Sequence, residues 1–283
     1  LSGTDMAPAT VQRYETSLKH TRDFVWETYH KKDVLLDEVS RQFIEDYEFW
    51  LKTEKKCCHN TATKYLKNFK KITRIALAKG WMKNDPFLEI RFSLDKVEPD
   101  FLEDSEIQKL ISKEIDIPRL SQVRDIFVFC CFTGLAFSDI HGLRKEHIVE
   151  DSNGVRWIRK GRQKTKIMCN IPLIEIPLKI LEKYSTNEYC KKHGVLFPVL
   201  CNQKMNAYLK ELADICGIKK TLTTHVGRHT FATFALANGV SIESVAKMLG
   251  HTNVQMTRHY ARVLDRTVIR EMSQIKMDLH FSM

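Results

Sequence analysis

The stretch from residue 223 to residue 260 constrains the fold of this chain most strongly, because helix start and stop signals follow one another closely there. Ser241 is suited to cap a helix that ends before Gly250, a residue that readily takes the left-handed conformation found after helix ends. His251 follows this stop and opens a second, short helical segment that leads to Tyr260. We therefore expect a turn, and not a shared helix face, to bring His251 and Tyr260 together.

The segment before this turn carries two basic residues, His225 and Arg228, at helical spacing. In a helix, side chains three positions apart share one face, with roughly 5–6 Å between their Cβ atoms. The two residues can therefore hold one small anion together. Each of them alone is more often a cap or a core side chain, but joined to His251 and Tyr260 they predict a phosphate site with a tyrosine nucleophile.

Length and charge indicate the class of partner. A chain of 283 residues and 33.1 kDa is long enough for two domains that each bury a core. The formal net charge of +10 and the pI of about 9.1 favour a polyanion, and nucleic acid fits better than a membrane. The sequence has no apolar run of about 18 residues and no secretory signal pattern, so we expect a cytoplasmic protein.

The eight cysteines are expected to be reduced. They form no C-x-x-C pair, and Cys130 and Cys131 lie in the apolar run I-F-V-F-C-C-F, where a free cysteine behaves as a small hydrophobic side chain. Cys190 and His193 have a spacing that metal sites use, but no second ligand pair is nearby. The sequence therefore predicts no metal site.

Residues 1–98 are predicted to form a helical domain, because apolar residues recur at helical spacing in three segments. The third segment also has a row of basic side chains along its other face: Lys64, Lys67, Lys71 and Arg74. Between residues 52 and 83, ten Lys/Arg stand against one acidic residue. Such a row is often only a solvated helix face, but an excess this large favours contact with the DNA backbone.

Residues 95–104 have the composition of a linker, and a second domain is predicted over 99–283. It is mostly helical, but residues 154–172 change to strand-like sequence on both sides of a polar turn. This pattern predicts a small hairpin or a three-stranded sheet. The predicted fold class is mainly α with a small antiparallel β-sheet.

The joint pattern of H-x-x-R, then L-G-H, then a Tyr nine residues after that His resembles the tyrosine recombinase (phage integrase) family. The resemblance extends over nearly the whole chain, and within the family it is strongest to integrases of Bacteroides-type conjugative and mobilisable transposons. It implies a helical, SAM-like core-binding domain at 1–98 and a mixed α/β catalytic domain at 99–283, clamped around double-stranded DNA. It also implies a site-specific DNA recombinase (integrase) that integrates or excises a mobile element.

The family resemblance assigns a role to each residue of the motif. Tyr260 would attack the scissile phosphate and form a 3′-phosphotyrosine intermediate, which stores the energy of the broken bond. Arg228, His225 and His251 would neutralise charge in the transition state, and His225 would also help to move the Tyr260 proton. These side chains supply what a metal ion supplies elsewhere, so neither a metal nor another cofactor is expected.

The polar turn K-G-R-Q-K-T-K contains four Lys/Arg and has an ordinary interpretation as a solvated loop. In the family, a lysine of this turn lies eight residues before the proline of the closing I-P-L, and counting back from Pro172 selects Lys164. Lys160 and Lys166 are the alternatives. Such a lysine would protonate the departing 5′-oxygen, a role that suits an ammonium group whose pKa can be lowered towards neutrality.

Most members of the family have an arginine after T-G-L that grips the scissile phosphate, but this chain has Ala136 there. Asp139 keeps the acidic position that follows. We expect Arg124, which stands alone beside an apolar run, to supply the missing guanidinium; a surface ion pair with Asp125 is the alternative role for it. Two weaker candidates of the same kind are Arg119 and Arg144.

Apolar residues recur at helical spacing after Tyr260 and predict a tail helix. It could pack on its own domain, whereas the family resemblance implies that it docks on a neighbouring protomer of a homotetramer on two DNA sites. Accessory DNA-bending proteins and a bacterial, nucleoid-associated location accompany that interpretation. Larger integrases also carry an N-terminal arm-binding domain, for which residues 1–10 leave no room, so one interpretation is that the sequence is a fragment.

Two other functional classes stay open at this point. A type IB topoisomerase uses a similar tyrosine pocket to relax DNA, without strand exchange between two sites. A catalytically impaired DNA-binding relative, disabled by Ala136, would bind its site and form no covalent adduct. The sequence specifies neither the recognised DNA site nor the spacing between the two cleavages.

Overall fold

The computed structural model of the protein describes residues 6–260 and Met272. It divides into two compact units, Leu1–Val97 and Glu98–Met283, each with its own hydrophobic core. Helices dominate both units, and a three-stranded antiparallel sheet lies in the second. The predicted fold class, mainly α with a small antiparallel sheet, is confirmed. Within the described residues, no helix is both long enough and apolar enough to cross a membrane.

The first unit is built from three long helices: α1 Pro8–Tyr29, α2 Arg41–Thr53 and α3 His59–Ala78. A short 3-10 turn, Leu36–Glu38, precedes α2. Ser40 then caps α2 by accepting a hydrogen bond from a backbone N–H of its first turn, as its sequence position indicates. Aromatic side chains fill the space between the helices, and Phe24, Tyr47 and Phe87 are fully buried. The apolar stripes of the sequence therefore face one shared core.

The described part of the second unit contains further helices: α4 Asp104–Ser112, α5 Pro118–Thr133, α6 Phe137–His141, α7 Glu175–Tyr184, α8 Glu188–His193, α9 Asn202–Ile215, α10 Thr224–Ala237, α11 Ile242–Leu249 and α12 Gln255–Arg258. Its sheet has the strands β1 Ile148–Glu150, β2 Arg156–Gly161 and β3 Met168–Pro172, in the order β1-β2-β3. A 3-10 turn, Lys145–His147, leads into β1.

The predicted strand-like stretch forms β2 and β3, and β1 adds a third strand ahead of it. Ile158 in the middle strand pairs with Ile148 on one side and Ile171 on the other. Ile158 and Ile171 are buried, so one face of the sheet packs on the core of the unit. The turn between β2 and β3 carries the basic run of the sequence.

Helix α5 is the centre of the second unit. Residues 125–133 are all buried, and a helix that is buried on every side must be surrounded by other elements. Helices α4, α7, α9 and α10 pack around it. It ends because Gly134 takes the left-handed conformation, with φ at 67°, and a side chain at that position would overlap the Phe231 ring. This packing brings the end of α5 next to Arg228 on α10.

The segment 241–260 folds as its sequence predicts. Ser241 caps α11 by accepting a hydrogen bond from a backbone N–H of its first turn at 3.2 Å, and Gly250 ends the helix with φ at 62°. Helix α12 follows, and Tyr260 lies two residues beyond it. The predicted tail helix after Tyr260 lies outside the described residues, apart from Met272.

Candidate active site

Arg228 is the buried centre of a cluster of polar side chains in the second unit. Only 2% of its surface is exposed. Its guanidinium donates hydrogen bonds to the carbonyls of Gly134 and Leu249, both at 2.6 Å. These carbonyls lie at the ends of α5 and α11, where carbonyls lack partners within the helix. Burial, helped by the Arg162 guanidinium, lowers the pKa of Arg228 to about 10, so it stays charged at neutral pH.

His251 follows α11 and extends the cluster. Its Nε2 lies 3.1 Å from Arg228 Nη2, and its Nδ1 lies 2.8 Å from Thr257 Oγ1. Burial, together with the guanidiniums of Arg228 and Arg162, lowers the pKa of His251 to about 4. The ring is therefore neutral at neutral pH, and hydrogen bonds hold both of its nitrogens.

Tyr260 lies beside this ring, as the turn in the sequence predicts. Its ring centroid is 6.3 Å from that of His251, with the two planes only 15° apart, and 5.1 Å from that of His229. Burial raises the pKa of the Tyr260 hydroxyl, while Arg228 and Arg162 act to lower it. The phenol is therefore mostly protected from water but within the electrostatic reach of two cations, which favour its ionised form.

His225 and His229 lie one turn apart on α10, edge to face, with ring centroids 4.2 Å apart. His225 is exposed, whereas His229 is buried and contacts both His225 and Tyr260. Desolvation lowers the pKa of His229 to about 4; it also lowers the pKa of His225, whose ring is only partly open to solvent, with the help of Arg228. His229 Nδ1 has no hydrogen-bond partner among the described residues. Sequence reasoning missed His229, although its spacing of four from His225 indicates a shared helix face.

A second arginine, Arg162, reaches the cluster from the turn between β2 and β3. Its Nε donates to Asp139 Oδ2 at 3.3 Å, and its side chain is 12% exposed. The other Asp139 oxygen accepts the Gln163 N–H at 2.9 Å, so one carboxylate holds both the turn and the guanidinium. A Cβ on Gly250 would lie 2.7 Å from Arg162 Cδ, so only glycine leaves room for this side chain. The Arg162 charge also contributes to the lowered pKa of Arg228.

The structure does not bring Arg124, the sequence-based candidate for this second arginine, to the cluster. Arg124 lies on α5 ten residues before Gly134, a separation of about 15 Å along a helix. Its guanidinium binds Asp125 Oδ1 at 3.1 Å and the Lys113 carbonyl at 2.8 Å. The structure therefore shows the alternative role of Arg124, an ion pair with the neighbouring Asp125.

The two weaker candidates also lie elsewhere: Arg119 donates to Glu211, and Arg144 lines a surface cavity of about 620 Å³. Ala136 is the residue directly before α6, the helix that carries Asp139. Arg162 reaches Asp139 on the same helix from the turn between β2 and β3. The sequence contains one signal for Arg162, the positive charge of the run K-G-R-Q-K-T-K. Its partner, however, lies 23 positions away in sequence, and no local pattern joins the two.

Lys164 is exposed in the turn between β2 and β3. Its charge contributes to the lowered pKa of His225, after burial, Arg228 and Arg162. Lys160, one of the alternatives, donates to the Gly142 carbonyl at 2.8 Å, and burial lowers its pKa. The structure thus brings Lys164 towards the cluster, whereas a backbone carbonyl holds Lys160.

The cluster suits a bound phosphodiester. It contains the cations Arg228 and Arg162 against one carboxylate, Asp139, and its histidines have lowered pKa values. Buried charge is costly unless a counter-charge meets it, so a net positive pocket favours an anion with several acceptor oxygens. Within the described residues, no group of three or more His, Cys, Asp or Glu side chains could hold a metal ion.

The basic row of the first unit lies along α3, and all four of its side chains are exposed. None of the ion pairs between described residues involves a member of the row. Lys67 Nζ lies 5.8 Å from the Phe92 ring and Lys71 Nζ lies 5.4 Å from the Tyr14 ring, while both remain open to solvent. The row is a line of cations facing water.

The eight cysteines are all free thiols. Cys130, Cys131 and Cys190 are buried, as expected for small hydrophobic side chains. Burial raises the pKa of each of these thiols, so they are poor nucleophiles.

Comparison with known proteins shows the family of this chain. The phage integrase SAM-like domain matches residues 2–97, and the phage integrase family matches residues 100–267. A tyrosine recombinase of Pseudothermotoga lettingae is 29% identical over 265 residues, which are 91% of this chain and 88% of the relative. The tyrosine recombinase XerD of Oceanobacillus iheyensis is 26% identical over 266 residues, or 90% and 87% of the two chains.

Solved structures share the fold. A lambda integrase (75–356) dimer bound to a core site superposes with a TM-score of 0.74 and 16% identity, covering 99% of this chain and 95% of that one. The integrase of transposon Tn1549, in complex with a circular intermediate DNA, superposes with a TM-score of 0.73 and 19% identity, and the match covers 96% of each chain. Since the second family match alone covers more than half of the sequence, this chain belongs to the phage integrase family and is a tyrosine site-specific recombinase.

Proposed function

We propose that Tyr260 is the nucleophile and that cleavage passes through a 3′-phosphotyrosine. The convergence of Tyr260 with Arg228 and Arg162 in one buried, net positive pocket carries this proposal. The Tyr260 oxygen attacks the scissile phosphorus and the 5′-oxygen leaves. In the second step a 5′-hydroxyl attacks the phosphotyrosine, which rejoins the strand and releases the tyrosine. The ester keeps the bond energy, so strand joining needs no external energy source.

Arg228 and Arg162 neutralise the non-bridging oxygens of the scissile phosphate in this mechanism, with His251 as a third group. Donors that are already in place when charge develops stabilise a transition state most strongly. Backbone carbonyls hold Arg228 and a buried carboxylate holds Arg162, so both guanidiniums are pre-organised. Arg162 takes over the task of the guanidinium that is absent at Ala136.

Proton transfer involves the groups at the rim of the pocket. Lys164 protonates the departing 5′-oxygen, and its exposed position lets it reach a bound strand. His225 helps to move the proton of Tyr260, and desolvation by the surrounding protein, followed by the charge of Arg228, lowers its pKa. His229 contacts the rings of both His225 and Tyr260 and holds them in position.

Double-stranded DNA is the partner of this recombinase. In our proposal, residues 1–98 form the core-binding domain and bind backbone phosphates through Lys64, Lys67, Lys71 and Arg74, while residues 99–283 form the catalytic domain. Four protomers act on two DNA sites and exchange their tails, with accessory DNA-bending proteins, on bacterial nucleoid DNA. Likeness to the Tn1549 integrase supports integration and excision of a mobile element as the biological role.

Covalent trapping tests the mechanism. A nicked suicide duplex, chosen from a random-sequence library by binding to the protein, should accumulate a protein–DNA adduct with or without EDTA. Peptide mapping should locate the DNA on Tyr260, and a map to any other residue would contradict the assignment. Strand exchange between two such sites separates recombination from the mere relaxation of supercoils by a topoisomerase.

A further inference from the structure

Thr257 on α12 contacts two parts of the catalytic cluster at once. Its Oγ1 lies 2.8 Å from His251 Nδ1, and its carbonyl accepts the Tyr260 N–H at 2.9 Å. The side chain is completely buried, with 0% of its surface exposed. One threonine therefore joins the ring of His251 to the backbone of the nucleophile.

The partners of His251 determine where its proton lies. An arginine side chain can only donate, so His251 Nε2, 3.1 Å from Arg228 Nη2, must accept. A neutral imidazole with an accepting Nε2 carries its hydrogen on Nδ1, which then donates to Thr257 Oγ1. The lowered pKa of His251, caused by burial and by Arg228 and Arg162, agrees with a neutral ring.

A phosphate in the pocket reverses this requirement at Nε2. Phosphate oxygens accept hydrogen bonds, and a bare Nε2 lone pair would face them unfavourably. His251 can hold a phosphate oxygen only when Nε2 carries a hydrogen. Nδ1 then either loses its hydrogen, in the other neutral tautomer, or keeps it, in the imidazolium. A hydroxyl can accept from Nδ1–H and can equally donate to a bare Nδ1, so Thr257 satisfies both states.

We propose that Thr257 is a positioning residue that lets His251 exchange between an Nδ1–H state facing Arg228 and an Nε2–H state facing the scissile phosphate, with the ring held in place. The inference rests on the proposed function only in the contact of His251 with the phosphate. In the tautomer exchange, one proton leaves Nδ1 for solvent and one joins Nε2 from solvent, so the net charge is unchanged. The Thr257 carbonyl keeps Tyr260 at the same turn throughout.

Two substitutions separate the hydroxyl from the shape of the side chain. Thr257→Val keeps the branched shape and removes the hydroxyl, whereas Thr257→Ser keeps the hydroxyl. Phosphotyrosine formation on the suicide duplex should slow on the order of 10-fold in Thr257→Val, because one nitrogen of His251 loses its partner. The pH–rate profile should also shift, because the hydroxyl bonds an imidazolium more strongly than a neutral ring and its loss therefore lowers the pKa of His251. DNA affinity should stay unchanged. Thr257→Ser should restore both rate and profile.

Thr73→Val is the matched control, since Thr73 is also buried and its hydroxyl donates to the Lys70 carbonyl of its own helix, in the other unit. It should leave the rate and the pH profile unchanged. A wild-type rate and profile in Thr257→Val would overturn the proposal. It would equally fail if Thr257→Ser were as slow as Thr257→Val, because packing and not the hydroxyl would then matter.

Nitrogen-15 NMR of the wild-type protein gives a readout that needs neither a variant nor cleavage. His251 should show the Nδ1–H tautomer in the free protein, and inorganic phosphate should add a hydrogen to Nε2. An Nε2–H tautomer in the free protein, or no change at saturating phosphate, would contradict the proposal even if Thr257→Val failed to fold. Absence of any adduct in the wild type would contradict the proposed function alone, since the tautomer is measured independently.

Discussion

The pocket around Arg228 and the basic row on α3 both present positive charge, but in opposite surroundings. Arg228 is 2% exposed and fixed by two carbonyls, whereas the side chains of the row are exposed and belong to no ion pair between described residues. Two unit charges 4 Å apart interact by about 1 kcal/mol in water and by about 4 kcal/mol at the effective dielectric near a protein. The same charge is therefore worth more in the pocket than on the row.

This difference suits the two sets of charges to two functions on DNA, cleavage in the pocket and binding along the row. In the proposed function, each pocket group acts on a single phosphate and cannot be replaced by a neighbour, so its removal should reduce the rate of cleavage. The cations of the row are proposed to act on many phosphates through counterion release, each contributing a similar share. Their removal should change affinity gradually and leave the chemistry intact.

The largest effect is expected at the nucleophile. Tyr260→Phe removes the attacking oxygen, so it should abolish phosphotyrosine formation completely while DNA affinity stays close to that of the wild type. Gel analysis on the suicide duplex, with and without EDTA, measures both. An adduct that persists in Tyr260→Phe, or a wild-type adduct that chelation abolishes, would contradict the proposed mechanism.

The next largest effect is expected at the second arginine, Arg162. Arg162→Ala should slow phosphotyrosine formation on the order of 10²–10³-fold, the cost of one pre-organised donor at a developing charge. Single-turnover kinetics on the suicide duplex measure this rate, and filter binding checks that affinity is retained.

Arg124→Ala is the matched control for Arg162, because both arginines pair with a carboxylate and only Arg162 reaches the pocket. It should cleave at nearly the wild-type rate. If Arg124→Ala is slow and Arg162→Ala is not, the structural assignment of the second guanidinium is wrong and the sequence-based one stands.

The buried histidines should make stability depend on pH. His229 and His251 have pKa values of about 4 in the folded protein against about 6.5 for an unperturbed histidine, so the unfolded chain binds more protons between these values. The free energy of unfolding should therefore fall as pH drops from 6.5 to 4, by up to about 1.4 kcal/mol per pH unit for each histidine. Urea titrations across this range measure the slope.

The double variant His229→Gln/His251→Gln should flatten this pH dependence, because it removes both titrating groups. His193→Gln provides the control: His193 is exposed on α8 and should leave the slope as it is. An equally steep slope in the double variant would place its origin elsewhere in the chain.

The smallest effect is expected on the row. Lys64→Gln/Arg74→Gln should weaken DNA binding for all sequences and make the slope of log K against log salt shallower by about 2, or roughly 0.9 for each phosphate that the protein no longer neutralises. Phosphotyrosine formation at saturating DNA should not change.

The control for the row is Lys31→Gln/Lys179→Gln, which removes the same charge from two lysines that already pair with glutamates. Its salt slope should stay close to that of the wild type. Equal slopes in the two double variants would mean that net charge alone, and not the position of the row, drives binding.

The sequence by itself determined the features that depend on near neighbours. The cap at Ser241, the stop at Gly250 and the turn that brings Tyr260 to His251 each involve residues a few positions apart, and all three are present in the structure. Apolar periodicity likewise predicted the helices, the small sheet and the mainly α fold. The joint motif pointed to the family, because its residue types must occur together for the chemistry to work.

Only the tertiary structure decided which side chains complete the pocket. The sequence around Arg162 and Arg124 does not show which of them reaches the pocket. No local pattern indicates that Asp139 holds Arg162, which lies 23 positions away. His229 was likewise missed, because only the packing of α10 places it between His225 and Tyr260. The direction of a side chain depends on how its helix or turn is rotated against the core, and this rotation is set by contacts between residues far apart in sequence, which no short pattern records.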